Sequence, residues 1–348
     1  MQLAPTDRLL VFAPHPDDET LAAGILIQSA RACGAAVRVV FATSGDNNPW
    51  PQRWLERRWR IGAGDRARWA ARRREEALAA LAMLGDDISA RFLGWPDQGL
   101  TDCLMDSDAP VQALVAELAA FAPTHIALPD IADLHPDHGA LRVMLDLALL
   151  RHRHACTLLG YTIHGGRPGP AARVSVRGGS LEVKLSAVQA YGSQLALSRR
   201  RLLALASRAE QFAPAHLPAQ GAGQVSERVF EVAWPTDWPW LRPHALLLVV
   251  AEPDRVRRLR IELPRWPRGG ALPHAPPAPV SGIEYRRGGL RIALAESLAP
   301  LLSVHAKVHR KDPRLFIFDR LPWQASAALP ASAKPAAGVA YGVAEQSL

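Results

Sequence analysis

The chain has 348 residues, 49% hydrophobic and 21% charged, with a formal net charge of +8 carried almost wholly by arginine. That balance excludes a disordered or fibrous chain and suits one large globular domain with a smaller appendage. No apolar run reaches the roughly 20 residues that span a bilayer, and the start lacks the basic and apolar stretches of a signal peptide. Cys33, Cys103 and Cys156 form no CxxC spacing or disulfide framework, so the expected compartment is the cytoplasm.

The first 165 residues alternate strand and helix patterns. A continuous apolar run predicts a buried strand over 9–13. Leu21, Ala22, Ile25, Leu26 and Ser29 then keep helical spacing, which predicts a helix from about 20 to 33, stopped at Gly34. A second strand is expected over 37–42, followed by a polar loop over 43–49. Between Arg53 and Arg74 arginines interleave with Trp54, Trp59 and Trp69. General compositional bias accounts for such a run. Guanidinium forks also suit phosphate and carboxylate, and Trp faces suit sugar rings or lipid interfaces. No nucleic-acid reader motif appears.

A long helix is expected over 65–84, a strand over 88–93 and a turn-rich loop over 94–99. A helix over 110–121, a strand over 125–129, a helix over 139–150 and a strand over 157–164 follow. Repeated βα units of this kind predict an α/β fold, a Rossmann-like doubly wound and mostly parallel sheet. Two further helices are expected over 182–195 and 199–212. After Gln224 the composition changes. The Trp/Pro stretch 234–240 is too proline-rich for a helix, and short apolar or alternating runs over 245–250, 256–263, 290–293 and 315–318 predict a small C-terminal all-β appendage. The expected division is 1–224 for the α/β domain, 225–321 for the β-rich domain and 322–348 for an Ala/Pro/Ser-rich mobile tail.

Two polar clusters sit where strands give way to helices. The first is His15-Pro16-Asp17-Asp18-Glu19, the second Asp133-Leu134-His135-Pro136-Asp137-His138. His15 and Asp18 are residue types that hold a divalent metal, and Asp17 is a carboxylate available to move protons. Taken singly, the first cluster reads as a turn whose Asp caps the next helix, and the second as a surface loop. Two such clusters at equivalent strand ends converge above a parallel sheet, which points to a metal hydrolase. Asp137, between two histidines, is expected to accept a hydrogen bond from one of them or to cap the helix ahead of Gly139. Glu19 is expected to favour the helix start through the dipole.

These motifs resemble the family of N-acetylglucosaminyl-phosphatidylinositol de-N-acetylases and LmbE-like (PIG-L) amidases, which also includes bacterial thiol-biosynthesis deacetylases. The family pattern is an apolar strand, then A-H-P-D-D-E, then a late H-P-D-H. Here the first reads Ala13-Pro14-His15-Pro16-Asp17-Asp18-Glu19, with Pro14 at a position that varies in the family, and the second His135-Pro136-Asp137-His138. Weaker matches are Arg73 and Glu76, the stretch from Phe92 to Asp97, and Lys184, Ala187, Tyr191, Ser193 and Gln194. The resemblance covers about 8–212 and leaves the β appendage unmatched.

The resemblance implies that His15, Asp18 and His138 hold one zinc ion, replaceable by another divalent metal such as Fe2+. It also implies that Asp17 is the general base, and that His135 stabilises the oxyanion as a cation and helps protonate the amine. Three protein ligands leave a catalytic zinc an open position, where water has a pKa of roughly 7. Arg73 either reaches the substrate or pairs with Glu76 on its helix face. Asp97 is expected to accept hydrogen bonds from sugar hydroxyls. The function so implied is hydrolysis of the acetamide of an N-acetylglucosamine-type sugar, anionic or lipid-linked, in a glycan, glycolipid or precursor. The alternatives are an amidase or phosphoesterase on a non-sugar substrate, or a basic glycan- or nucleic-acid-binding module with a vestigial metal site.

Overall fold

The computed structural model describes residues 1, 3–152, 156–165, 174–176, 178–215, 228–234, 244–263, 270–271, 275–286, 288–295, 298, 301–310 and 318–326. Strands β1 (Arg8–Ala13), β2 (Ala36–Thr43), β3 (Ile88–Trp95), β4 (His125–Pro129) and β5 (Thr157–Tyr161) run parallel in the order β3-β2-β1-β4-β5. β7 (Gln211–Pro214) and then β6 (Val174–Ser175) extend the β5 edge antiparallel. The order reverses between β1 and β4. Their carboxyl ends therefore open the crevice in which doubly wound sheets place their sites.

Alternation along β1 divides the core in two. Leu9, Val11 and Ala13 face α1 (Asp18–Ala32), α3 (Ala63–Leu84), α7 (Leu181–Gln189) and α8 (Gly192–Ala206). Leu10 and Phe12 face α4 (Leu100–Asp106), α5 (Ala109–Phe121) and α6 (Pro136–His152). Burial on both faces is what the continuous apolar pattern of these strands requires. Two helices depart from the expected elements. α2 (Pro49–Glu56) starts on Asn48, whose side chain accepts the Trp50 N–H, with Pro49 preset for a first turn. α4 forms because Leu100 and Leu104 bury against the sheet.

The helix expected over 199–212 also differs. The chain kinks at Ser198, within the expected gap, but also breaks at 190–191, and residues 211–214 form β7, because pairing to β5 and burial of Phe212 override local helical pattern. α1 is broken at Ala23, and a buried ion pair repairs it. Lys184 donates to Leu21 O (2.8 Å) and to Glu210 (2.7 Å), while Glu210 accepts the Ile25 and Leu26 N–H groups (2.7 and 3.0 Å). Both charged side chains are used by the backbone that the break leaves unpaired.

The C-terminal strands are β8 (Val229–Ala233), β9 (His244–Ala251), β10 (Val256–Leu263), β11 (Gly270–Ala271), β12 (Val280–Arg286), β13 (Gly289–Leu294), β14 (Ser303–Arg310) and β15 (Gln324–Ser326). Among the described residues they form two four-stranded sheets, β10-β9-β14-β15 and β11-β12-β13-β8. Leu246, Leu248 and Val250 of β9 face the second sheet, whereas Leu247, Val249 and Ala251 join the core around α6. A buried polar link reinforces that contact, with Arg142 and His305 both bonded to Asp146 (2.8 and 3.0 Å). Residues 322–326, expected in the tail, are an ordered part of the described structure. Residues 324–326 pair with β14, and Trp323 is buried against α6. The segments 235–240, 315–317 and 327–348 lie outside the described residues. No helix of the described residues is long and apolar enough to cross a membrane.

Lys184→Met leaves Glu210 charged and buried without its partner. It is expected to lower the unfolding free energy by about 3–5 kcal/mol, read by urea denaturation. A loss within about 0.5 kcal/mol would show that the pair does not hold α1.

Candidate active site and metal centre

Both polar clusters reach the same point above β1 and β4. One oxygen of Asp18, Oδ2, lies 3.1 Å from His15 Nδ1 and 3.2 Å from His138 Nε2. The other ring nitrogen of each histidine faces a further carboxylate. His15 Nε2 is 3.2 Å from Asp137 and 3.3 Å from Asp97, and His138 Nδ1 is 3.2 Å from Asp133. An imidazole with one nitrogen inward and the other on a carboxylate is the arrangement that orients metal-binding histidines.

Each backing carboxylate is itself held by backbone donors. Asp137 accepts the Gln98 and Leu100 N–H groups (2.7 and 3.1 Å), so it faces His15 across the site and neither histidine beside it in sequence. Asp133 accepts the N–H groups of His135 (2.9 Å), Ile163 (2.8 Å) and His164 (3.1 Å). Asp97 accepts the Asn47 N–H (2.7 Å) on one carboxylate oxygen, and its other oxygen lies 3.3 Å from His15 Nε2. Asp133 was not singled out by sequence; its place at the head of the second cluster was the available signal. His164 was missed also. It enters from the connection after β5, and its ligand atom lies within 4.8 Å of those of Asp18 and His138.

The charge balance asks for a cation. Burial opposes ionisation of His138, but the Asp133 and Asp18 carboxylates outweigh it and push its pKa up to about 10. Burial opposes the charge on His15 as well, yet Asp137, Asp18 and Asp97 hold its pKa well above the ordinary histidine value. Asp18 is held well below the usual carboxylate range despite burial, by His138 and His15. Protons on two imidazoles thus balance the acidic cluster. The fully buried ring nitrogens of His138 make no hydrogen bond of normal geometry. Two imidazoles and one carboxylate converging on such a point fit a divalent metal.

Asp17 and Arg73 form the second part of the site. Asp17 adopts φ 122° and ψ −28°, a strained backbone for a residue with a Cβ. Glu19 accepts the Asp17 N–H (3.1 Å) and the hydroxyls of Thr20 and Tyr191, which fixes the strained turn from inside the helix. Burial, partly offset by Arg73, raises the Asp17 pKa to about 7. Arg73, 4% exposed, lies 3.3 Å from Asp17 and donates to Gly45 O (2.9 Å) and Pro16 O. A Cβ at Gly45 would come within 2.3 Å of this guanidinium, and φ there is +60°. The structure therefore places Arg73 behind Asp17, and Glu76 elsewhere, bonded to Arg72 and to Ser193 at the start of α8.

His135 packs edge-on to His15, with centroids 4.7 Å apart. Burial and the neighbouring His15, His138 and His164 hold its pKa well below the ordinary histidine value, which disfavours the cationic form expected from sequence. Its Nδ1 accepts the Asp137 N–H (3.3 Å), which leaves the proton on Nε2 as a donor.

Asp133→Asn and Asp137→Asn each remove a backing carboxylate and spare the inward nitrogens. Each is expected to weaken metal binding by about 10- to 100-fold at unchanged stoichiometry, read by competition with a chromogenic chelator. Wild-type affinity in both would assign these carboxylates to folding alone.

Residues 10–149 match the PIG-L family, described as GlcNAc-PI de-N-acetylase. The chain is 35% identical over 150 residues to the 1D-myo-inositol 2-acetamido-2-deoxy-alpha-D-glucopyranoside deacetylase of Mycolicibacterium gilvum (strain PYR-GCK), covering 38% of this chain and 51% of that protein. It spans about half the length of the curated relatives it matches. Among solved structures it is similar to N,N'-diacetylchitobiose deacetylase from Pyrococcus horikoshii, with 20% identity, 54% of this chain and 70% of that one covered, and a TM-score of 0.44. It is also similar to the conserved protein TT1542 from Thermus thermophilus, with 24% identity, coverage of 62% and 100%, and a TM-score of 0.45. With both family motifs joined at one metal-competent centre, residues 10–149 are a domain of the PIG-L, LmbE-like deacetylase family.

Proposed function

We propose that the chain is a zinc-dependent de-N-acetylase that hydrolyses the acetamide of an N-acetylglucosamine-type sugar within a glycan, glycolipid or nucleotide-linked precursor. The observation that carries this reading is the juxtaposition of the Asp17 carboxylate, braced by Arg73, with the centre formed by His15, Asp18 and His138. Those three side chains would hold the metal, which supplies Lewis-acid polarisation of the carbonyl and of water. The activity named for the mycolicibacterial relative supports the choice of an acetamido sugar.

In this reading Asp17 takes a proton from the attacking water as its oxygen bonds the acetamide carbon. His135 donates from Nε2 to the carbonyl oxygen as negative charge develops there. Asp17 then passes the proton to the departing nitrogen as the C–N bond breaks, leaving acetate and the free amine. Asp137 and Asp133 keep the His15 and His138 rings oriented throughout.

The carrier of the reacting sugar is read from the surface beside the site. Asn47, bonded to Asp97, leads directly into α2. There Trp50, Trp54 and Trp59 are 62%, 68% and 80% exposed, with Arg53 against the rings of Trp50 and Trp59. Nine arginines and two carboxylates lie between Trp50 and Arg74. Trp69 belongs to the core and does not form part of this surface, and Arg58, though exposed, is paired with Asp65. Protruding indoles among guanidinium groups suit an anionic or lipid-linked carrier. Thiols without disulfide partners at Cys33, Cys103 and Cys156 support a cytoplasmic setting.

Zinc-loaded protein is expected to release acetate from N-acetylglucosamine and to lose that activity with a chelator. Asp17→Asn should keep the metal and lose turnover by about a thousandfold, and His135→Ala should lower kcat by about a hundredfold with little change in KM. Near-normal turnover in Asp17→Asn, or acetate release unaffected by metal removal, would overturn the assignment.

Replacing Arg57 and Arg60 together by Gln tests the carrier. It should lower kcat/KM on an N-acetylglucosaminyl diphosphate lipid about tenfold relative to N-acetylglucosamine and flatten its salt dependence. Equal changes on both substrates would exclude a carrier-binding role.

A further inference from the structure

A strip of side chains runs outward from the metal centre, and two parts of the chain build it. The His164 ring lies 5.2 Å from that of His138. The Phe318 ring lies 4.9 Å from His164 and 5.9 Å from His135. Arg201 of α8 borders the strip, its guanidinium 5.5 Å from the Phe318 centroid and its Nη2 3.2 Å from His164 Nδ1. No carboxylate of the described residues forms an ion pair with Arg201.

Phe318 is held in place although it is 39% exposed. The next residue, Asp319, donates its N–H to Leu134 O (2.8 Å) in the second polar cluster, and its carboxylate pairs with Lys307 of β14. Trp323 lies so close to Gly139 that a Cβ there would meet its Cδ1 at 2.7 Å. These contacts fasten the C-terminal segment to the loop that carries His135 and His138. A large apolar ring that is fastened beside a polar site and still 39% exposed matches a partner that comes and goes with the substrate.

We propose that His164, Phe318 and Arg201 form a binding subsite, completed by the C-terminal β unit, for the group bonded to the reacting sugar, either an adjoining sugar ring or an anionic substituent. The proposal rests on the de-N-acetylase reading above. The C–H bonds of a pyranose carry slight positive charge and suit the negative face of an aromatic ring. The Arg201 guanidinium, over the Phe318 ring and without a carboxylate partner among the described residues, suits phosphate or carboxylate. The β appendage then has a role in substrate choice that no motif of the α/β domain supplies.

The test compares N-acetylglucosamine, N,N'-diacetylchitobiose and N-acetylglucosamine 1-phosphate with the zinc-loaded full chain. Phe318→Ala should lower the ratio of kcat/KM for the disaccharide over the monosaccharide about fivefold to tenfold, chiefly through KM, and Phe318→Trp should restore it. Arg201→Gln should raise KM for the 1-phosphate about tenfold relative to that for the disaccharide. An unchanged ratio in Phe318→Ala would overturn the ring subsite, and equal KM changes in Arg201→Gln would overturn its anionic part. If the wild type releases acetate from none of the three, the de-N-acetylase reading fails. Calorimetric titration with the disaccharide then decides the subsite by itself, since weaker binding to Phe318→Ala supports it and equal affinity overturns it.

Discussion

One carboxylate oxygen, Asp18 Oδ2, stands between two imidazoles at the switch point of the sheet, and the surrounding structure serves to keep it there. Asp17, Asp97, Asp133 and Asp137 crowd the same space. Such a cluster is tolerable in a buried setting only with compensating positive charge or with donors on every oxygen. Backbone N–H groups from the loops after β2, β3, β4 and β5 supply the donors, and the two imidazoles supply the charge. A divalent metal held there would replace those protons with one cation.

The proposed base, Asp17, is held by a different device. Asp17 sits in a strained turn between His15 and Asp18, and the strain is sustained from both sides. Glu19 reaches back from the first turn of α1 to the Asp17 N–H, and Arg73 spans from α3 to the Asp17 carboxylate and two carbonyls. In this structure Arg73 thus braces Asp17 and the turn around it. The break at Ala23 and its Lys184–Glu210 repair lie one turn further along α1, where the buried pair fastens the helix bearing Asp18 to the elements after β5.

The C-terminal unit is bound into this arrangement. β9 buries one face in its own sandwich and the other around α6, and Asp146 on α6 meets His305 on β14. α6 begins with Pro136, Asp137 and His138, so its packing against Trp323 and β14 bears on the orientation of the second polar cluster. The unit that lies outside the family match is thus in contact with the helix that carries one of the proposed ligands.

The sequence by itself determined the parallel sheet and the identity of the central residues. Apolar runs of five or six residues ending in His/Asp clusters have few folds available, and the clusters name their own chemistry. The tertiary structure decided the partners. Asp137 faces His15, over a hundred positions away, because the loop bearing Gln98 and Leu100 turns it inward. Arg73 is buried behind Asp17 because Gly45 lets it pass, and Asp133, His164 and Phe318 matter only once β5 and the C-terminal strands are in place. Periodicity and composition report which residues are apolar and which carry charge. Which carboxylate meets which imidazole depends on long-range packing, and no local pattern encodes that.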